Sequence, residues 1–90
     1  MESIYERAIE TWGGEAQMDM IIEECSELIV ALQRLKRGRG RVELVQDEVA
    51  DVLIMAEQAK VLFGADDIER IVARKLARLE TRVALSYSPR

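Results

Sequence analysis

Glycines divide this chain into segments in which apolar residues recur at helical spacing. All five glycines lie at three breaks: Gly13 and Gly14, the basic stretch at 36–41 (KRGRGR), and Gly64. Glycine readily takes the left-handed conformation that ends a helix. Between the breaks the apolar spacing is three to four residues, which is typical of helices rather than strands. The pattern predicts an all-α fold with four helices, over about 4–12, 15–37, 42–63 and 67–84.

Two helix starts also have local signals. Ser3 followed by Glu6 is the spacing of a capping box, which predicts the start of the first helix. Asp66 or Asp67 is expected to cap the fourth helix.

Length and composition indicate one small folded domain. The chain has 90 residues, and with 49% hydrophobic residues it is too apolar to be disordered. We therefore expect a single domain over 1–90, with a frayed tail at 85–90. A domain of this size buries only about 60% of the surface of its unfolded chain, so self-association is expected from size alone.

The residues that are missing exclude several classes of site. The sequence has no histidine and only one cysteine, Cys25. Catalytic triads, most zinc sites and thiolate clusters are thereby excluded. A net charge of −4 weighs against a nucleic-acid partner. Without a transmembrane-length apolar run or a signal peptide, we expect no membrane partner and a cytoplasmic location.

Three glutamates interrupt an apolar run in the second helix, IIEECSELIVAL at 21–32. On a helical wheel with Ile21 at zero, the apolar arc runs from about 320° to 100°. Glu24 and Glu27 then fall just outside it, at about 300° and 240°, and Glu23 lies near 200°. Carboxylates that flank an apolar stripe are common on surface helices, so this pattern alone does not identify a site.

The third helix places a carboxylate within its apolar stripe. Glu48 is flanked on the wheel by Met55 and Val52, and Asp51 lies at the edge of the stripe, about 60° away. A carboxylate in a core must be paired, protonated or bound to a cation. If the second and third helices form an antiparallel hairpin, the pair Glu48 and Asp51 of the third helix meets the pair Glu24 and Glu27 of the second. An internal salt-bridge network is one explanation, and a hard divalent cation such as Mg²⁺ or Mn²⁺, which prefers oxygen ligands, is the other.

These residues resemble a known family. EECSE at 23–27, followed after twenty residues by EVAD at 48–51, is similar to the EExxE…ExxD pattern of the MazG-like all-α nucleoside triphosphate pyrophosphohydrolases. The resemblance extends over about residues 5–83 and is greatest to the short single-domain members. It implies Mg²⁺-dependent hydrolysis of an NTP or dNTP to a monophosphate and pyrophosphate. It also implies that Glu24, Glu27, Glu48 and Asp51 bind the metal, with Mn²⁺ as a possible substitute, and that Glu23 is either an outer ligand or the group that orients or deprotonates the attacking water.

Other residues are candidates for substrate binding, each with a simpler alternative. Basic side chains can hold phosphates, or they can be ordinary solvated surface. Trp12 can stack on a base or anchor a core or an interface. Gln17 is a candidate for reading a base edge, whereas Cys25 is expected to be a small core residue. The basic candidates are Lys75, Arg78 and Arg82 in the last helix, and Lys36, Arg37, Arg39 and Arg41 in the loop.

Apolar residues lie on more sides of these helices than one hairpin can cover. Ile54 in the third helix and Val30 in the second point away from the main stripes. We therefore expect a homodimer or homotetramer, in which two hairpins with their flanking helices form a four-helix-bundle core. The alternative function is a non-catalytic helical module that binds nucleotides or mediates oligomer formation, and a bundle with buried ion pairs is a third possibility.

Overall fold

A computed structural model describes residues 2–87, which contain four α-helices and no β-strand. The helices are α1 Ile4–Trp12, α2 Gly14–Lys36, α3 Val42–Phe63 and α4 Ala65–Ser86. The all-α prediction is confirmed for this part of the chain. α4 extends two residues past the expected end at Ala84, and residues 88–90 of the tail lie outside the described residues. None of the four helices is both long enough and apolar enough to cross a membrane.

Local sequence explains where the helices begin. The capping box is present: Glu6 N–H donates to Ser3 Oγ at 3.1 Å, and Ser3 N–H donates to Glu6 Oε1 at 3.3 Å. The predicted cap of α4 is wrong, because Gly64, with φ +107°, precedes the helix and no side chain caps it. The chain turns at this glycine, so Asp67 lies within the first turn and pairs with Arg70 instead.

Helices α2 and α3 form an antiparallel hairpin joined by residues 37–41. The start of α2 lies against the end of α3, since a Cβ on Gly14 would be 3.3 Å from Leu62 Cδ2. Gly14 is thus the first residue of α2, where its small size permits close packing, and not part of the break between helices. The hairpin is the unit that positions the acidic residues.

The two flanking helices attach near the open end of the hairpin. Helix α1 contacts both α2 and α3, and Gln58 Nε2 donates a hydrogen bond of 3.0 Å to the Tyr5 carbonyl. Helix α4 contacts α3 near their junction, where Lys60 pairs with Glu69 at 2.9 Å. Every residue from Glu69 to Tyr87 is exposed. Most of α4 therefore has no covering surface within the described chain.

The seam between α2 and α3 covers only part of the apolar arc of α2. The residues of α2 that face the seam are buried or half-buried and follow a seven-residue repeat: Gln17, Ile21, Glu24, Leu28, Ala31 and Leu35. A neighbouring strip, which we call the α2 strip, is exposed and consists of Ile22, Cys25, Ile29 and Leu32. The expectation that Cys25 belongs to the core is wrong for the single chain.

The single chain leaves an unusual amount of surface exposed. No hydrophobic residue in the described part of the chain is fully buried, and the only residues that are buried there are Gln17 and Gln58. The accessible surface is 7468 Å², whereas a compact monomer of this mass exposes about 5,300 Å². The radius of gyration is 16.9 Å, against about 12 Å for a compact domain of this length. The fold of one chain is therefore open and extended.

Candidate metal centre

Carboxylates from both helices of the hairpin meet at its seam. Glu24, Glu27 and Glu48 each place an oxygen so that all three oxygens lie within 4.8 Å of one another. Glu24 and Glu48 are half-buried, whereas Glu27 is exposed. Glutamates from two distant parts of the sequence thus form one acidic cluster, whereas Asp51, which the helical wheel predicts beside them, is not a member of this group.

A second acidic group overlaps the first. Asp47, Glu48 and Asp51 also offer oxygens within 4.8 Å of one another. Glu48 belongs to both groups and therefore links them. Carboxylate oxygens are the ligands that hard divalent cations prefer.

Two oxygens of this cluster are buried without a partner. Glu24 Oε2 and Glu48 Oε2 are inaccessible to solvent, and neither accepts a hydrogen bond. A buried oxygen without a partner is unfavourable and is rare in native proteins. Within residues 2–87 the ion pairs are those of Lys60 and Arg70, so no internal cation neutralises the cluster. This observation speaks against the salt-bridge network as the explanation for these carboxylates.

The environment raises the pKa of both half-buried carboxyls above the usual value. The main cause for Glu24 is desolvation, followed by repulsion from the charges of Glu27, Asp51, Glu48 and Glu23. Desolvation is likewise the main cause for Glu48, followed by repulsion from Glu27, Asp51 and Asp47. Both effects disfavour the ionised form. A bound cation would reverse this preference, because it stabilises the carboxylates.

A pocket of about 410 Å³ opens beside the acidic cluster. Its carboxylates are Glu23, Glu27 and Glu48, and its basic residues are Arg34, Arg39 and Arg41. The rest of the wall comes from Ser26, Val30, Ala31, Gly40 and Leu44. The pocket therefore joins an acidic end to a basic end across a mainly apolar wall.

The turn after α2 brings the loop arginines to this pocket. Gly38, with φ +73°, follows the helix, and Gly38 N–H and Arg39 N–H donate to the carbonyls of Leu35 and Arg34. These two bonds form a Schellman motif. A Cβ on Gly40 would lie 3.0 Å from Leu35 N, so a larger residue at this position would require the backbone at the end of α2 to shift.

The structure places the other predicted substrate residues away from the pocket wall. Lys36 and Arg37 are exposed next to the turn but do not line the pocket. Gln17 is buried, with its Nε2 4.0 Å from Met20 Sδ, and Trp12 is 65% exposed at the end of α1. Within the described residues, α4 contributes nothing to this pocket; Lys75, Arg78 and Arg82 are all exposed on it. These assignments stay predictions.

Two residues at the site were not identified from the sequence as candidates. Asp47 joins the second acidic group, and Arg34 lines the pocket. Arg34 follows Glu27 by seven residues and thus shares its helix face. Asp47 precedes Asp51 by four residues, a spacing that makes them neighbours on a helix. Both relationships are visible in the sequence once the hairpin face is known.

No family model, curated protein or solved structure matches this chain.

Proposed function

We propose that this chain is a Mg²⁺-dependent nucleoside triphosphate pyrophosphohydrolase that resembles the MazG-like family. The observation that carries the proposal is the cluster of Glu24, Glu27 and Glu48, whose oxygens converge from two helices without a neutralising ion pair. These residues, with Asp51, occupy the positions of the EExxE…ExxD pattern. The reaction is attack of water on the α-phosphorus, breakage of the bond to the bridging oxygen, and departure of pyrophosphate.

The donor set fits Mg²⁺, with Mn²⁺ as a substitute. Every ligand on offer is a carboxylate oxygen, which suits hard cations better than zinc or copper. The unpartnered oxygens of Glu24 and Glu48 are available to such an ion. When bound, Mg²⁺ neutralises phosphate charge and makes a nearby water more acidic. Glu24, Glu27, Glu48 and Asp51 would hold it.

Glu23 is suited to handle the attacking water. It lines the pocket and is exposed to solvent. In α2 it directly precedes the half-buried Glu24. An ionised carboxylate accepts hydrogen bonds from water and can take up a proton. We assign Glu23 to orienting or deprotonating that water.

The functional unit of this proposal is a homo-oligomer. The chain exposes roughly 2,200 Å² more surface than a compact monomer of its mass. That excess is within the range that each subunit buries in an obligate dimer. Pairing two hairpins through the α2 strip would create a four-helix core and cover Ile22, Ile29 and Leu32.

In such an assembly helix α4 would pack on a second copy of the chain. Its exposed apolar residues Ile71, Val72, Leu76 and Leu79 repeat at helical spacing and need a surface to cover them. Packed on a second copy, α4 can bring Lys75, Arg78 and Arg82 toward the carboxylates of that copy. This arrangement is part of the proposal and accounts for the distance of these residues from the pocket of their own chain.

A pyrophosphate-release assay tests the function directly. The eight common NTPs and dNTPs are supplied one at a time with Mg²⁺, and matched reactions contain EDTA. We expect Mg²⁺-dependent release from at least one nucleotide and a loss of at least about 100-fold in Glu48→Gln, which removes a ligand charge at nearly constant shape. Turnover by Glu48→Gln at the parent rate would disprove the site assignment. Nucleotide binding without release would instead support the non-catalytic module.

A further inference from the structure

The pocket beside the acidic cluster has opposite charges at its two ends. Arg34, Arg39 and Arg41 share its wall with Glu23 and Glu27, yet none of the ion pairs among residues 2–87 involves these five side chains. A guanidinium that has no ion pair can bind an anionic group by forked hydrogen bonds. A pocket that keeps the two charge types apart suits a ligand that has both a cation and an anion.

Helix geometry orients the basic end toward the acidic end. Arg34 lies two turns after Glu27 on the same face of α2, about 10 Å along the axis. Because helical side chains lean toward the N-terminus, a long side chain at Arg34 can extend back toward Glu27. Arg39 and Arg41 reach the same end of the pocket through the glycine turn, in which Gly40 packs on the last turn of α2.

We propose that Arg34, with Arg39 and Arg41, forms an anion subsite for the two terminal phosphates of the substrate. This inference rests on the proposed function and specifies how the substrate lies in the site. The reacting α-phosphate would be at the acidic end, and the leaving pyrophosphate would be at the loop end of the hairpin. Guanidinium forks match the oxygens of phosphate and hold them by paired hydrogen bonds.

The arginines, rather than the apolar part of the wall, determine what this subsite binds. Val30, Ala31 and Leu44 lie among the charged groups of the pocket. Val30 and Leu44 are each 44% exposed, so the pocket is open to solvent and its attraction for phosphates comes from the three guanidinium groups. The subsite therefore selects ligands with at least two linked phosphates and should bind a monophosphate poorly.

Inorganic pyrophosphate is the probe that isolates this subsite. Its affinity for the intact chain is measured by titration calorimetry with Mg²⁺ present, for the parent and for Arg34→Gln. We expect a loss of about 10- to 100-fold in affinity, the usual consequence of removing a charge-assisted hydrogen bond. Arg34→Lys should recover part of the affinity, because it restores the charge but not the fork. The fold should survive, since the contacts of Arg34 with the turn come from its carbonyl oxygen.

Arg7→Gln is the matched control. Arg7 is exposed on α1, and replacing it by glutamine changes the net charge by the same amount as Arg34→Gln does. If Arg7→Gln and Arg34→Gln weaken pyrophosphate binding equally, the loss of affinity comes from the change in net charge, and the proposal of a subsite at Arg34 is wrong. Parent-like affinity in Arg34→Gln would overturn it as well.

The kinetics separate this inference from the proposed function. If the parent hydrolyses a nucleoside triphosphate and Arg34→Gln keeps the parent KM, the function stands and the subsite is wrong. If the parent hydrolyses none of the nucleotides but binds pyrophosphate through Arg34, the function is wrong and the subsite stands as a diphosphate site.

Discussion

The substitution Ile29→Glu tests whether the exposed α2 strip is an interface between copies of the chain. Ile29 is 56% exposed in the single chain. Full burial of an isoleucine side chain is favourable by about 1.5–3 kcal/mol, so covering the exposed part of Ile29 contributes about 1–1.5 kcal/mol to the free energy of dimer formation. In a symmetric dimer both copies of Ile29 lie in the interface, so together they contribute about 2–3 kcal/mol. Since a buried, unpaired glutamate adds a desolvation penalty, the dissociation constant should rise at least about 100-fold.

Two measurements read out this change. Sedimentation equilibrium at micromolar concentration should give two or four times the chain mass of 10.2 kDa for the parent and a shift toward the single mass for the variant. Cys25, the one cysteine of the sequence, lies in the same strip and is exposed in the single chain. Its alkylation should be slow in the parent and fast in Ile29→Glu. The control Ile29→Leu keeps the apolar surface and should behave as the parent does. A compact, active parent monomer of 10.2 kDa with a rapidly alkylated Cys25 would refute the reasoning.

Three further predictions concern the site and its loop. Desolvation and charge repulsion raise the pKa of Glu24 and Glu48 above the ordinary 4.5, so the folded state binds protons at these two carboxyls more tightly than the unfolded state does. The stability that this proton binding adds to the fold is fully present below pH 4.5 and is lost as the pH rises through the raised pKa values. The melting temperature of the metal-free protein should therefore fall from pH 4 toward neutrality, and a rise over that range would contradict it. Glu48→Gln should leave the metal-free protein at least as stable as the parent at neutral pH while abolishing the thermal shift with Mg²⁺; a large loss of stability in calorimetry would favour a salt-bridge role instead. Gly40→Ala should destabilise the loop by about 1–3 kcal/mol, because its Cβ would lie 3.0 Å from Leu35 N, and an unchanged denaturant midpoint would show that the loop does not need this close approach.

The local features of the fold follow from the sequence. Glycine breaks at Gly13 and Gly64 and the capping box at Ser3 locate the helices to within two or three residues, because these signals act through neighbouring backbone atoms. The helix wheel also predicts that Glu48 lies on a buried face. Gly14 is helical because it packs against the end of α3, and residue preferences do not specify this contact. At the start of α4 the aspartates were preferred as caps, but the helix begins directly after Gly64.

The features that depend on more than one element were harder to predict. Cys25 is on the apolar arc, but α3 covers the other side of that arc, so Cys25 is exposed. Arg34 entered the site only because the turn and the hairpin register enclose a pocket around it. Periodicity shows which residues share a face but does not show which neighbour covers it.

The position of bond cleavage tests the central claim most directly. The parent is incubated with Mg²⁺ and the nucleotide that it turns over, in water enriched in the heavy oxygen isotope, and the products are identified by phosphorus NMR. We predict a nucleoside monophosphate that has one labelled oxygen, together with unlabelled pyrophosphate. Inorganic phosphate with a nucleoside diphosphate would contradict the account, as would label in the pyrophosphate.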